Sequence, residues 1–217
     1  MYLNFVTFNF KGDDIEAAER YYLDNQVDLV KRLPGLRFYY TGRLMEVRRR
    51  KPDHLRAAIL GYENVNAAAA AINAPDVIPA LLAYQQEHQS DYTLRSMTGE
   101  IIVPLVARKI GRKLLAMVME FDFAGIEGGL EAAEEQYRKV HVEFARRLPG
   151  LRKYVIGKID SAGGWGSDRQ RMSILFFDSL DTLKAAYQSP VGQQLIRDEE
   201  AFVRNVRMWW MDARFEK

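Results

Sequence analysis

The chain has 217 residues, 48% of them hydrophobic and 28% charged, with a formal charge of +2; these proportions exclude a disordered chain and fit one large or two small globular domains. The charge is evenly spread, 14 basic against 13 acidic residues in 1–110 and 17 against 16 in 111–217, so nothing global argues for nucleic acid or an anionic membrane as partner. The absence of cysteine excludes disulfides and thiolate chemistry, and the three histidines, His54, His88 and His141, cannot build a metal centre without carboxylate help.

The opening MYLNFVTFNF alternates apolar and polar residues and predicts a strand over 2–10. It lacks the charged start and small-residue cleavage site of a leader, and no apolar run approaches the ~18 residues of a membrane span, so a soluble cytoplasmic protein is expected. Lys11-Gly-Asp-Asp14 is a turn that supplies an N-cap, and a helix follows to about Arg32. Its inward stripe is Ile15, Ala18, Tyr22, Gln26, Leu29 and Leu33. Pro34-Gly35 stops it, proline by breaking the ladder and glycine by accepting positive φ. Strands are predicted over Leu36–Met45 and Leu55–Tyr62, a helix from Ala67 to Ile72, a break at Asn73-Ala-Pro75, more helix to about His88, and a closing strand over Thr98–Val106.

The same series then recurs. EAAERYYLDNQVDLVKRLPGLRFYYTGRL at 16–44 aligns without a gap on EAAEEQYRKVHVEFARRLPGLRKYVIGKI at 131–159, an offset of 115. The second stripe is Leu130, Ala133, Tyr137, His141, Phe144 and Leu148; later elements are strands Leu151–Ile159 and Arg171–Phe177, helices from Leu180 to Tyr187 and on to Phe202, and a strand Met208–Phe215. Roughly one position in five is identical over about a hundred residues. The chain is therefore read as two repeats, 1–109 and 112–217, joined near Arg108–Arg112. Each is a ferredoxin-like βαββαβ unit of the α+β class. Helices on one face of each sheet leave the other face apolar and bare. Two tandem copies can cover each other there, which predicts an intramolecular dimeric α/β-barrel. The pairing is then a pseudo-dimer within one chain, which permits a monomer, and two fused chains can pair again as a homodimer.

With that order in hand, Tyr137-x-x-x-His141-Val-Glu-Phe-Ala-Arg-Arg-Leu148-Pro149-Gly150-Leu151-Arg152-x-Tyr154 resembles the EthD family of the dimeric α/β-barrel superfamily. The family pattern sets an aromatic and, four residues later, a histidine on the first helix, followed by a basic-Leu-Pro-Gly-Leu run into a strand carrying a tyrosine. The resemblance implies a small-molecule pocket between sheet and helices. It also implies cofactor-independent chemistry, such as decarboxylation, dehydration or cyclisation, on an aromatic or polyketide-like compound. The first repeat departs from the pattern, with Gln26 where the family has histidine.

His141 and Tyr137 are accordingly the expected catalytic pair, four residues apart on one helix face. Tyr22, Gln26 and Tyr154 are expected to line ligand-binding space. Trp209 and Trp210, adjacent in the last strand, must face opposite ways, one toward a pocket and one toward the interface between sheets. The glycine-rich connection Asp160-Ser-Ala-Gly-Gly-Trp165-Gly-Ser-Asp168 is a candidate lid. Its counterpart Glu46-Val-Arg-Arg-Arg-Lys-Pro52 carries four consecutive cations, which reads as a solvated hairpin tip able to meet an anion. Asp53 and His54 at the start of the third strand complete the inventory. No spacing asks for a metal. Two other roles fit: a non-catalytic ligand-binding or stress-response barrel and, last in order, a haem-binding barrel of the same superfamily.

Overall fold

The computed structural model describes residues 1–47, 49–104, 112–123, 127–160 and 169–217. The glycine-rich segment with Trp165, Asp168 and all of the join except Arg112 lie outside these residues.

The first half runs β1 (Tyr2–Phe10), α1 (Ile15–Tyr21), a π-helical turn (Tyr22–Gln26), α2 (Val27–Lys31), β2 (Leu36–Met45), β3 (Arg56–Tyr62), α3 (Val65–Ile72), α4 (Ile78–His88) and β4 (Gln89–Val103). The second runs β5 (Lys113–Phe123), α5 (Gly129–Gln136), a π-helical turn (Tyr137–His141), α6 (Val142–Ala145), β6 (Lys153–Ile159), β7 (Arg171–Phe177), α7 (Leu180–Gln188), α8 (Pro190–Phe202) and β8 (Val203–Phe215). Local chemistry places the boundaries. Asp14 accepts from the Ala17 N–H, and Asn64 and Ser179 cap α3 and α7 in the same way. Gly35 and Gly150 sit at φ +69° and +76°, the left-handed conformation that turns each first helix into the following strand.

All strand pairs are antiparallel, in the closed order β1-β3-β2-β8-β5-β7-β6-β4. Each half contributes a four-stranded sheet of ferredoxin-like order. The halves meet at two hydrogen-bonded seams, β2 against β8 (Tyr40 opposite Phe215, Met45 opposite Trp210) and β4 against β6 (Met97 opposite Ile159, Gly99 opposite Gly157). The outcome is the tandem α/β-barrel that the repeat predicts. Because the outer strands pair, no sheet edge is left open.

Three cores follow from strand alternation. The barrel interior is shared by both halves and includes Leu3, Phe5, Phe38, Tyr40, Ile59, Val118, Ile174, Phe176, Trp209 and Met211. The opposite faces of the two sheets pack on their own helices, around Tyr22, Tyr39 and Leu60 in one half and around Tyr137, Leu175 and Phe202 in the other.

Two expectations need correction. The closing strands start earlier, at Gln89 and Val203 rather than Thr98 and Met208. Both early stretches contain a residue at positive φ, Asp91 and Asn205, where the pairing with β1 and β5 shifts register. A bulge interrupts the alternation that would reveal the strand. The inward stripes also drift. After each π-turn the buried residues are Val27 and Val30, or Val142 and Ala145, in place of Leu29 and Phe144, which are only partly covered. One wider turn rotates the rest of the helix relative to a 3.6-residue pattern. Leu130 is exposed because it precedes the packed part of α5.

Candidate functional site

The two π-turns occupy equivalent places, each opening on a tyrosine that packs beneath the helix. In the first half the Tyr22 hydroxyl lies 2.8 Å from both Tyr39 Oη and Thr41 Oγ1, with the Arg56 guanidinium 5.0 Å above its ring. Glu19 binds Arg56 and Arg43, and hydrogen bonding from Arg43 holds its carboxyl below the ordinary range, with the Arg56 charge assisting. Gln26, at the histidine position, accepts from Gln89 Nε2 at 3.0 Å. Both partners are amides, so nothing titrates there.

The second half keeps the frame and changes the chemistry. Glu134 pairs with Arg171, as Glu19 does with Arg56. Tyr137 is enclosed by Phe121 and Phe123, each at 5.5 Å, and its hydroxyl is 3.5 Å from that of Tyr154. Burial pushes both phenols up, so each stays protonated at neutral pH. His141 stacks on Tyr137 at 5.3 Å and meets Phe202 edge-on at 5.6 Å. Its Nδ1 lies 3.0 Å from Asp198 Oδ2, and Gln136 Nε2 donates to Oδ1 of the same carboxylate at 2.8 Å. A carboxylate only accepts, so Nδ1 is the donor in this contact, and the neutral tautomer compatible with it has its lone pair on Nε2.

Asp198 escapes a motif search because it lies 57 residues beyond His141. Its signal is positional. Leu195, Asp198 and Phe202 fall at i, i+3 and i+7 on α8, so one acid stands on an otherwise apolar stripe.

A cavity of about 830 Å³ opens beside this cluster, lined by Phe123, Leu130, Glu134, Arg138 and Arg171 among others. Phe123 is shared, walling the cavity on one side and packing on Tyr137 and Phe202 on the other. His141 itself is 4% exposed and does not line the cavity. Thus Tyr137, His141 and Tyr154 come together, Tyr22 and Gln26 form the parallel cluster in the other half, and Trp165 lies outside the described residues. Trp209 points into the barrel and walls a second cavity at its mouth, whereas Trp210 packs toward the helices of the second half. Asp53 lines that second cavity, and His54 Nδ1 contacts Thr7 Oγ1 at 3.2 Å.

The sequence profile described as the EthD domain matches residues 129–205, from α5 into β8. The uncharacterised 11.0 kDa protein of the thcB–thcC intergenic region of Rhodococcus erythropolis is 30% identical over 71 residues, 33% of this chain and 69% of that one. The chain belongs to the EthD family. The whole EthD barrel is also similar to solved structures. A candidate monooxygenase of Fusobacterium nucleatum superposes with a TM-score of 0.71 at 13% identity, covering 100% of this chain and 94% of that one. An anthrone oxidase-like protein gives 0.58 at 14% identity over 99% and 93% of the two chains. At these identities the likeness is one of fold.

Among the described residues of this EthD protein no group of three or more His, Asp or Glu is placed to hold a metal, and no helix is long and apolar enough to cross a membrane. The haem alternative fits His141 poorly, since Tyr137, Phe202 and Asp198 already enclose the ring.

Proposed function

We propose that this EthD protein is a cofactor-independent acid–base enzyme acting on a small hydrophobic, aromatic or polyketide-like compound in its second half. His141 is the proton acceptor, Asp198 fixes its tautomer and offsets the charge it gains, and Tyr137 supplies a protonated hydroxyl as hydrogen-bond donor. The carrying observation is the buried His141–Asp198 contact of 3.0 Å on a π-turn, set against the amide pair Gln26–Gln89 at the equivalent place. Wider helical turns of this kind occur frequently at functional sites. The charged and apolar lining of the neighbouring cavity suits an amphipathic ring compound, and a swing of Phe123 would join that space to the dyad. The anthrone oxidase-like protein adds only that the same fold serves a protein named for its likeness to an oxidase of a fused-ring aromatic compound.

The near-complete burial of His141 favours a second reading, a binding protein without turnover. One experiment separates the two. Native mass spectrometry of the full chain identifies a co-purifying compound, whose conversion is then followed with wild type and with His141→Gln, which imports the first half's residue. We expect turnover to fall about a hundredfold with binding retained, the lower end of what a positioned acid–base group contributes. Equal turnover would remove His141 from the mechanism, and binding without conversion by wild type would establish the second reading.

A further inference from the structure

The second cavity, about 340 Å³, lies at the barrel mouth, and neither His141 nor Asp198 lines it. Its lining includes Trp209 and the apolar Met45, Pro52 and Met208, and Arg50, Lys51 and Arg207 bring three cations against the single carboxylate of Asp53. Val47 and Arg50 exchange backbone hydrogen bonds of 3.0 and 2.9 Å, and Arg50 and Lys51 line the cavity from there.

The pseudo-symmetry explains why these cations await a partner. In the strand register Phe5 is opposite Arg95, and Glu120 is opposite Arg207. Phe5 and Glu120 are equivalent by the 115-residue offset, so Arg95 and Arg207 are equivalent too. Arg95 and Arg207 are both inward, and Glu120 pairs across the barrel with Arg95, 2.8 Å away. Arg207 is left with a ring contact, its guanidinium 5.9 Å from the Trp209 centroid. Among the described residues no carboxylate lies within ion-pair distance of Arg207, Arg50 or Lys51.

We propose that the barrel mouth is a binding site for a small planar organic anion, an aromatic carboxylate. The carboxylate takes the fork of Arg207 with Arg50 or Lys51 beside it, and the ring packs against the apolar part of the lining, Met45, Pro52 and Met208. The volume is at the small end of ligand sites, enough for one or two fused rings. Inorganic phosphate would meet the cations but leave the apolar wall uncovered. The site uses none of the residues of the His141 cluster and stands independently of the enzymatic reading.

The test is calorimetric titration of the full chain with 2-naphthoate, and with 2-naphthalenemethanol as its uncharged analogue. Saturable binding of the acid is expected, about tenfold or more tighter than of the alcohol. Arg207→Gln should weaken it by about tenfold, and Arg50→Gln/Lys51→Gln, on the exposed hairpin where folding is not at stake, should weaken it in the same direction. Arg138→Gln, an exposed change in the lining of the larger cavity, should leave it unchanged, which separates this site from the other. Equal affinity for acid and alcohol, undiminished binding by both cation variants, or no saturation in the millimolar range would overturn the proposal.

Discussion

Replacing Glu120 by Ala is expected to cost about 3–5 kcal/mol of folding stability, the usual penalty for stripping one partner from a buried ion pair. Glu120 is fully buried on the inward face of β5, and Arg95, from β4 of the other half, is 6% exposed. The guanidinium lies 4.8 Å from the Trp209 ring and its Nη1 is 3.5 Å from Thr7 Oγ1. Neither contact can neutralise it. Without Glu120 the barrel interior would lose the carboxylate that stands 2.8 Å from Arg95, while the guanidinium groups of Arg95 and Arg207 stay gathered about Trp209. The double variant Glu120→Leu/Arg95→Met should recover most of the loss, since an apolar pair of similar volume removes both desolvation costs. Urea unfolding measures each variant, and the cycle isolates the coupling. A loss below about 1 kcal/mol in Glu120→Ala would mean that the pair is solvated and not a core element.

The second large effect is expected at a seam. Gly42 on β2 faces β8 so closely that a Cβ would stand 1.9 Å from the Asp212 carbonyl oxygen and 3.1 Å from Ala213 Cα. Backbone atoms held by the seam's own hydrogen bonds cannot step aside as a side-chain tip can. Gly42→Ala should therefore cost about 3 kcal/mol or more, at the upper end of overpacking, by prising β2 from β8. Its repeat equivalent Gly157 lies in the other seam, opposite Gly99, where a Cβ would approach Thr98 O at 2.8 Å. The two seams thus use the same device. Hydrogen exchange should localise the damage, with amides of β2 and β8 losing protection before those of β6. Uniform loss would indicate general destabilisation and sink the seam interpretation.

Much of this architecture is legible in the sequence because duplication supplies its own control. RLPGLR occurs twice in one register, and any reading of one copy had to hold in the other. What escaped did so for identifiable reasons. The early parts of β4 and β8 are polar and bulged at Asp91 and Asn205, so their alternation is broken. The π-turns leave no compositional trace. His141 and Tyr137 are visible as a local pair on one helix, but Asp198 reaches them only through the docking of α8, and Glu120 reaches Arg95 only through closure of the barrel. Such partners are set by tertiary packing. The hint available beforehand was a charge on an apolar stripe, as Glu120 stands after Leu114, Ala116 and Val118 on alternate positions of β5. Alternation along β8 sends Trp209 and Trp210 to opposite faces, and Trp209 is the one that lies in the barrel interior and also lines the cavity at its mouth.

The seams also decide what kind of reaction barrel assembly is. In a barrel made from two separate protomers, closure is bimolecular, and its thermal midpoint moves with protein concentration. Here the β2–β8 and β4–β6 contacts lie within one chain, so each half meets the other at the high effective concentration that a tether provides. Closure becomes first-order, and the barrel persists on dilution at concentrations where an untethered pair would separate. That tether also releases the two halves from having to be identical, which is how one half can carry Glu120 and His141 while the other carries Phe5 and Gln26.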